Sequence, residues 1–218
     1  MATKTALILA AHADDETLGA GGLIQKLCKA DWDVRVAIVS DGRISVRDSV
    51  QDNRPDALRA CLRLGLKSEP TFLGFPDQKF DTVPLAEIAN AVLALKTNAD
   101  LIVTHAATDL NLDHRITLDV AKVAGRPKSK PVSLLSMEIP AVSAWNGAPF
   151  AANYFVNVVD EIDLKIDALA EYKNELQAFP HPISREAIRL LAQHHGIQMG
   201  VPFAEAYQLI RGYASGLP

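Results

Sequence analysis

The sequence predicts an α/β fold of the Rossmann-like kind, a mostly parallel sheet with helices on both faces. Two patterns predict it. Short unbroken apolar runs such as Ala6–Ala11 and Val34–Ser40 read as strands buried on both sides. Each is followed by a longer stretch whose apolar residues recur at helical spacing. Alternation of this sort builds a doubly wound layer structure. At 218 residues and 49% hydrophobic content the chain can bury one large core. With no repeat, low-complexity tract or long linker, residues 1–218 are expected to form a single domain.

Strands are expected at Ala6–Ala11, Val34–Ser40, Thr71–Leu73, Leu101–Thr104 and Ser133–Ile139. Helices are expected between them at Thr17–Lys29, Arg54–Leu64, Leu85–Lys96 and Arg115–Val123. The last third is less regular. Tyr154–Val158 reads as a strand, Ile162–Gln177 and Arg185–His194 as helices, and Ala204–Ile210 fits either. Pro and Gly cluster near Asn146–Phe150 and Phe179–Pro182, the mark of loops over one end of the sheet. Cys28 and Cys61 lie in helical stretches, without zinc-knuckle or redox spacing, and read as small buried thiols.

A net charge of −4 gives no electrostatic reason to bind nucleic acid or an anionic membrane. The apolar run near the N-terminus is too short for a secretory signal, and no other stretch reaches membrane length. A cytoplasmic protein that does not insert in membranes is the expectation. Residues 141–155 are apolar enough to contact a second copy in a homo-oligomer.

In an open parallel sheet, ligands bind outside the carboxyl ends of the strands. After the first strand comes His12-Ala13-Asp14-Asp15-Glu16; after the fourth come His105 and then Asp109-Leu110-Asn111-Leu112-Asp113-His114-Arg115. Either cluster alone reads as a helix cap. Two of them at strand ends can converge on one point, with the imidazole and carboxylate set of an open catalytic zinc site. Such an ion lowers the pKa of its water and polarises a carbonyl, while a neighbouring carboxylate moves the proton. Asp14 and Asp15 suit that split: one ligates and the other stays free. Gly19, Gly21 and Gly22 lack dinucleotide-binding spacing and are better explained by close helix–strand packing.

On these motifs the sequence resembles the PIG-L/LmbE-type zinc-dependent N-acetylglucosaminyl deacetylase family. His12-Ala13-Asp14-Asp15-Glu16 matches its opening signature with Ala13 in place of proline, and Asp113-His114-Arg115 closes its second. Supporting echoes are Ser40-Asp41-Gly42, Leu73-Gly74-Phe75-Pro76-Asp77, Glu138-Ile139-Pro140 and Ala204-Glu205-Ala206-Tyr207. The resemblance implies Zn2+, or another divalent transition metal, held by His12, Asp15 and His114, with Asp14 as general base. It also implies removal of an N-acetyl group from an amino sugar or its conjugate.

Where some members carry an oxyanion-steadying histidine, this chain has Asn111, an amide donor without charge. His181, with His105 as another choice, is the candidate to assist. Arg54, Asp109, Glu138 and Arg185 are the candidate substrate contacts, the arginines as clamps for a phosphate or carboxylate. Rival readings are an amidase on a thiol or nucleotide conjugate, a non-catalytic nucleotide-binding Rossmann module, and a phosphatase. The nucleotide module is disfavoured by an acidic turn where a phosphate would sit, and the phosphatase leaves His12 and His114 without work.

Overall fold

In the computed structural model, which describes residues 3–46, 49–95, 98–128 and 130–214, the alternating pattern becomes one seven-stranded sheet. The first half comprises β1 (Thr5–Ala10), α1 (Asp15–Lys29), β2 (Asp33–Ser40), a hairpin of β3 (Arg43–Val46) and β4 (Ser49–Asp52), α2 (Arg54–Arg63), β5 (Thr71–Phe75) and α3 (Leu85–Ala94). The second comprises β6 (Leu101–Thr104), α4 (Leu112–Ala124), β7 (Ser133–Met137), α5 (Pro140–Trp145), β8 (Tyr154–Asn157), α6 (Ile162–Leu169), α7 (Arg185–Met199) and β9 (Ala204–Arg211).

The strand order is β5-β2-β1-β6-β7-β9-β8. The first five are parallel, and β9 pairs antiparallel with both β7 and β8. Because β1 is flanked by β2 and β6, the winding reverses between β1 and β6. A crevice opens there at the carboxyl edge. Alternate residues of β1 feed two cores, as a strand's two-residue period requires. Ala6, Ile8 and Ala10 join α1, α2, α6 and α7, whereas Leu7 and Leu9 join α3 and α4.

Of the α1 glycines, Gly19 and Gly22 pack against the sheet side, whereas Gly21 meets Lys165 of α6. A Cβ on Gly19 would lie 2.6 Å from Met137 Sδ, and one on Gly22 would lie 2.6 Å from Val158 Cγ1. At Gly22 the helix also receives a foreign acceptor. Gly22 and Leu23 donate their backbone N–H groups to the Glu205 carboxylate, each at 2.8 Å. Lys165 Nζ and the Tyr207 hydroxyl donate to it too, at 2.6 and 2.7 Å. That buried carboxylate ties α1 and α6 to β9, which accounts for the closing Ala-Glu-Ala-Tyr motif.

One expectation needs correction and one ambiguity is resolved. The helix expected over Ile162–Gln177 stops at Leu169, because Tyr172 turns inward to donate to Glu16 and Glu171 turns out to Arg59 and Arg63 of α2. The ambiguous segment is strand β9, and the hairpin β3–β4 and helix α5 were not expected. Helix α3 ends at Ala94; Lys96, expected within it, lies outside the described residues. Cys28 and Cys61 are free thiols, half-buried and buried.

Candidate metal centre

The turn leaving β1 is held in an unusual shape. Asp14 has φ 122° and ψ −30°, a left-handed region that residues with a side chain rarely adopt. Its N–H donates to Glu16 Oε2 at 3.1 Å, and its carbonyl accepts from Thr17 and Leu18 to open α1. Glu16 is fixed in turn by the hydroxyls of Thr17 and Tyr172, both 2.6 Å from Oε1. The Asp14 side chain makes no capping bond to the helix. The turn therefore does more than start a helix: Asp15 points inward, where its Oδ2 accepts the His12 N–H at 2.8 Å.

The opposite wall is the first turn of α4. Asp109 Oδ1 accepts the Asn111 N–H at 2.8 Å, and Asn111 Oδ1 caps the helix by accepting the Asp113 N–H at 2.9 Å. Helical geometry then presents Asp113 and His114 to the crevice, both buried.

His12, Asp15 and His114 meet here. His12 Nδ1, Asp15 Oδ2 and His114 Nε2 are separated by 3.6, 3.4 and 3.2 Å. A tetrahedral ion with bonds of about 2.0–2.1 Å requires ligand–ligand edges of about 3.3–3.4 Å, so the triangle matches one face of that tetrahedron. The outward nitrogens are already committed. His114 Nδ1 donates to Asp109 Oδ2 at 2.9 Å, and His12 Nε2 faces Asp113 Oδ2 at 3.2 Å and Asp77 Oδ1 at 3.4 Å. Carboxylates behind both rings leave the inner nitrogens as ligands.

The alternative trio His105, Asp109 and His114 also lies within reach. Its two rings, however, stack on each other at 3.9 Å with planes only 27° apart. His105 instead accepts the Ala11 N–H at Nε2, 2.9 Å away, tying the end of β1 to β6. Burial lowers its pKa, as do the neighbouring histidines, so it stays neutral.

The electrostatics favour a cation at the triad. Burial opposes charge on His12, yet Asp113, Asp15 and Asp77 together push its pKa up to about 10. Burial likewise opposes charge on Asp15, but His114 and His12 hold its carboxyl well below the usual range. Burial first, then the charges of Asp15, Glu175 and Glu16, raises Asp14 above it. Two consecutive carboxyls are thus driven in opposite directions.

Other sequence candidates fall elsewhere. Asp109, expected to touch substrate, bonds His114 Nδ1 and accepts the Asn111 N–H. Asn111 is primarily the cap of α4, and its Nδ2 donates to Gln78 Oε1 at 3.3 Å. Arg54 forks onto Asp52 at 2.6–2.8 Å and Arg185 pairs with Asp167, so neither guanidinium is poised as an anion clamp. Glu138 bonds His195 at 2.7 Å over a small cavity beside Lys165 and Glu205. His181 packs edge-on to Trp145. Glu16, Asp77 and Asp113 belong to motifs visible in the sequence but carry no expected role there, and Gln78 and Tyr172 belong to none; Asp77 and Gln78 follow β5.

An open His-Asp-His face at the switch point of a doubly wound sheet, with an unligated carboxyl alongside, defines a metal-dependent hydrolase. Residues 7–124, more than half of the chain, match the family model described as GlcNAc-PI de-N-acetylase (PIG-L). The chain belongs to this family. No curated protein matches the sequence. Among solved structures, N,N'-diacetylchitobiose deacetylase from Pyrococcus horikoshii superposes with a TM-score of 0.76 at 19% identity, over 95% of this chain and 84% of that one. The zinc-inhibited form of teicoplanin deacetylase gives 0.75 at 17% identity, over 94% and 97%. The 4-carboxy-2-hydroxymuconate hydratase GalB from Pseudomonas putida KT2440 gives 0.75 at 19%, over 99% and 100%. At such identities the likeness is one of fold.

Proposed function

We propose that the protein is a zinc-dependent N-deacetylase acting on an amino sugar or an amino-sugar conjugate. The observation that carries this reading is the tetrahedral face formed by His12 Nδ1, Asp15 Oδ2 and His114 Nε2 beside the unligated Asp14. These three residues would hold the ion, with Asp109 and Asp113 orienting the two rings. Zinc, when bound, polarises the amide carbonyl and makes water acidic enough to attack near neutral pH.

The protein's own groups handle the proton. Asp14, whose pKa is raised by burial and adjacent carboxylates, takes it at its carboxylate from the attacking water and delivers it to the departing amine. Glu16 and Tyr172 keep Asp14 aimed by fixing the backbone that carries it. Asn111 Nδ2 is the candidate donor to the carbonyl oxygen, with His181 farther out. The family description and the sugar-acting deacetylase among the structural neighbours support the substrate class.

The test is acetate release from N-acetylated sugars together with metal analysis. Wild-type protein is expected to carry stoichiometric zinc, lost in His114→Ala. Asp14→Asn is expected to keep the zinc and lose turnover by at least about 100-fold, the scale of general-base catalysis. Full activity in that variant would remove Asp14 from the mechanism.

A further inference from the structure

We infer that Trp145 is a recognition residue of this active site, an apolar platform selecting an uncharged substrate with an apolar ring face or aglycone over a phosphorylated one. The inference rests on the deacetylase reading and adds to it the character of the substrate beyond the amide.

Trp145 ends α5, the short helix that leaves the carboxyl edge of β7. The next residue, Asn146, donates its side-chain amide to the carbonyl of Thr108, in the segment that carries Asp109 and leads to His114. The indole itself meets His181 edge-on, 5.2 Å between ring centres at 80°. His181 belongs to the segment running on from Tyr172 and Glu175. Tyr172 donates to Glu16, Glu175 accepts from Asn53 at 3.1 Å, and its charge bears on Asp14. Trp145 therefore sits where the segment tied to the His114 wall, through Asn146, meets the segment that runs on from Tyr172 beside the Asp14 wall.

An indole in that position should be covered if its role were packing. It is 60% exposed, and Leu110 and Leu112, flanking Asn111 on the adjoining wall, are exposed as well. Exposed large apolar side chains gathered at the rim of a polar cleft mark a binding surface. An aromatic plane of this kind offers contact area at low entropic cost. The charge around it argues against an anion. Asp77 stands against His12 at 3.4 Å, while Arg54 and Arg185 are matched by Asp52 and Asp167. Arg115 donates to the carbonyls of Asp109 and Leu110. These guanidinium groups are therefore already committed and none of them is left to receive a phosphate.

The experiment compares phenyl N-acetylglucosaminide with N-acetylglucosamine 1-phosphate on the zinc-loaded enzyme. Wild type is expected to favour the phenyl glycoside at least about tenfold in kcat/KM. Trp145→Ala should raise its KM about tenfold with kcat within about threefold, a loss of roughly 1.4 kcal/mol of binding. Trp145→Phe should restore most of that loss. A second readout needs no turnover. The only other tryptophan is Trp32, whose ring is covered by Lys4 at the opposite edge of the sheet. In an Asp14→Asn background the phenyl glycoside should therefore change the tryptophan emission, and the change should vanish when Trp145→Phe is added. An unchanged KM in Trp145→Ala, or a wild-type preference for the phosphate, overturns the inference. An emission response in that background, with no acetate released by the zinc-loaded wild type, would instead sink the deacetylase reading and leave the platform standing.

Discussion

Asp14 holds φ 122°, a conformation costing a residue with a side chain on the order of 1–3 kcal/mol. The bond from its N–H to Glu16, itself gripped by Thr17 and Tyr172, is what sustains it. That torsion is why two neighbouring aspartates have different tasks, one turned into the triad and the other left outside it. The sequence located His12, Asp15 and His114, because strand ends crowded with ligand-type residues are visible in a linear pattern. It did not locate what stands behind the rings. Whether Asp109 faces substrate or His114 is decided by a rotamer and an Asx turn, neither of which has a periodicity. Two outcomes follow at this scale. Asp113→Asn and Asp109→Asn should each weaken zinc binding about 10–100-fold, measured by competition with a chelator, with little change in thermal stability. Glu16→Gln should retain zinc and lower kcat, because one of the groups holding the Asp14 turn is replaced by a donor; unchanged kcat would detach the torsion from catalysis.

Among the elements, α1 depends on small residues where it crosses β7 and β9. Gly22→Ala places a methyl 2.6 Å from Val158 and about the same height as Glu205, 3.0 Å away. A cost of about 1–3 kcal/mol is expected from overpacking, read by denaturant titration. The Glu205 carboxylate is harder to replace. Glu205→Leu leaves buried Lys165 without its partner, and loss of one member of such a pair costs roughly 3–5 kcal/mol. Adding Lys165→Met should recover a large part of it; no recovery would show that the backbone bonds to Gly22 and Leu23 dominate instead. The bend after α6 carries a pH signature. Arg63 first, then Arg59, holds the Glu171 carboxyl below its ordinary pKa. A depressed folded-state pKa contributes stability that is complete above the unfolded carboxylate value and fades as pH falls below about 4. Glu171→Gln should therefore narrow its stability gap from wild type on acidification. Helical periodicity ran on to Gln177 in the sequence because Ala170–Gln177 is made of good helix formers. The outward pull on Glu171 and the inward pull on Tyr172 overrode propensity. The β3–β4 hairpin went unseen for the opposite reason, being short, polar and without a sustained apolar alternation.

For the molecule as a whole, alternation sufficed to foresee a doubly wound sheet, since apolar runs that feed two cores leave a plain mark. Strand order and the reversed direction of β9 left none. Its inner half is buried and its outer half exposed, so its pattern mimics a helix end as readily as a strand. The position of the site did follow from the fold, as the crevice between β1 and β6 is where the winding changes direction. No described helix is long and apolar enough to cross a membrane.

His12 and His114 stand 102 residues apart along the chain, yet their nitrogens approach within 3.2 Å. Nothing local holds them together; the pairing of β1 with β6 does so, with the bonds of His12 to Asp113 and of Ala11 to His105. The unfolded chain consequently offers the ion only the neighbouring pair His12 and Asp15, and tight binding has to wait for long-range assembly. Zinc should then act on the protein's lifetime and not on its birth. Added metal is expected to raise the melting temperature and slow unfolding, while the refolding rate stays as it was without metal. Stopped-flow refolding with and without zinc would read this directly, and acceleration by zinc would mean that the two walls of the crevice meet before the sheet is complete.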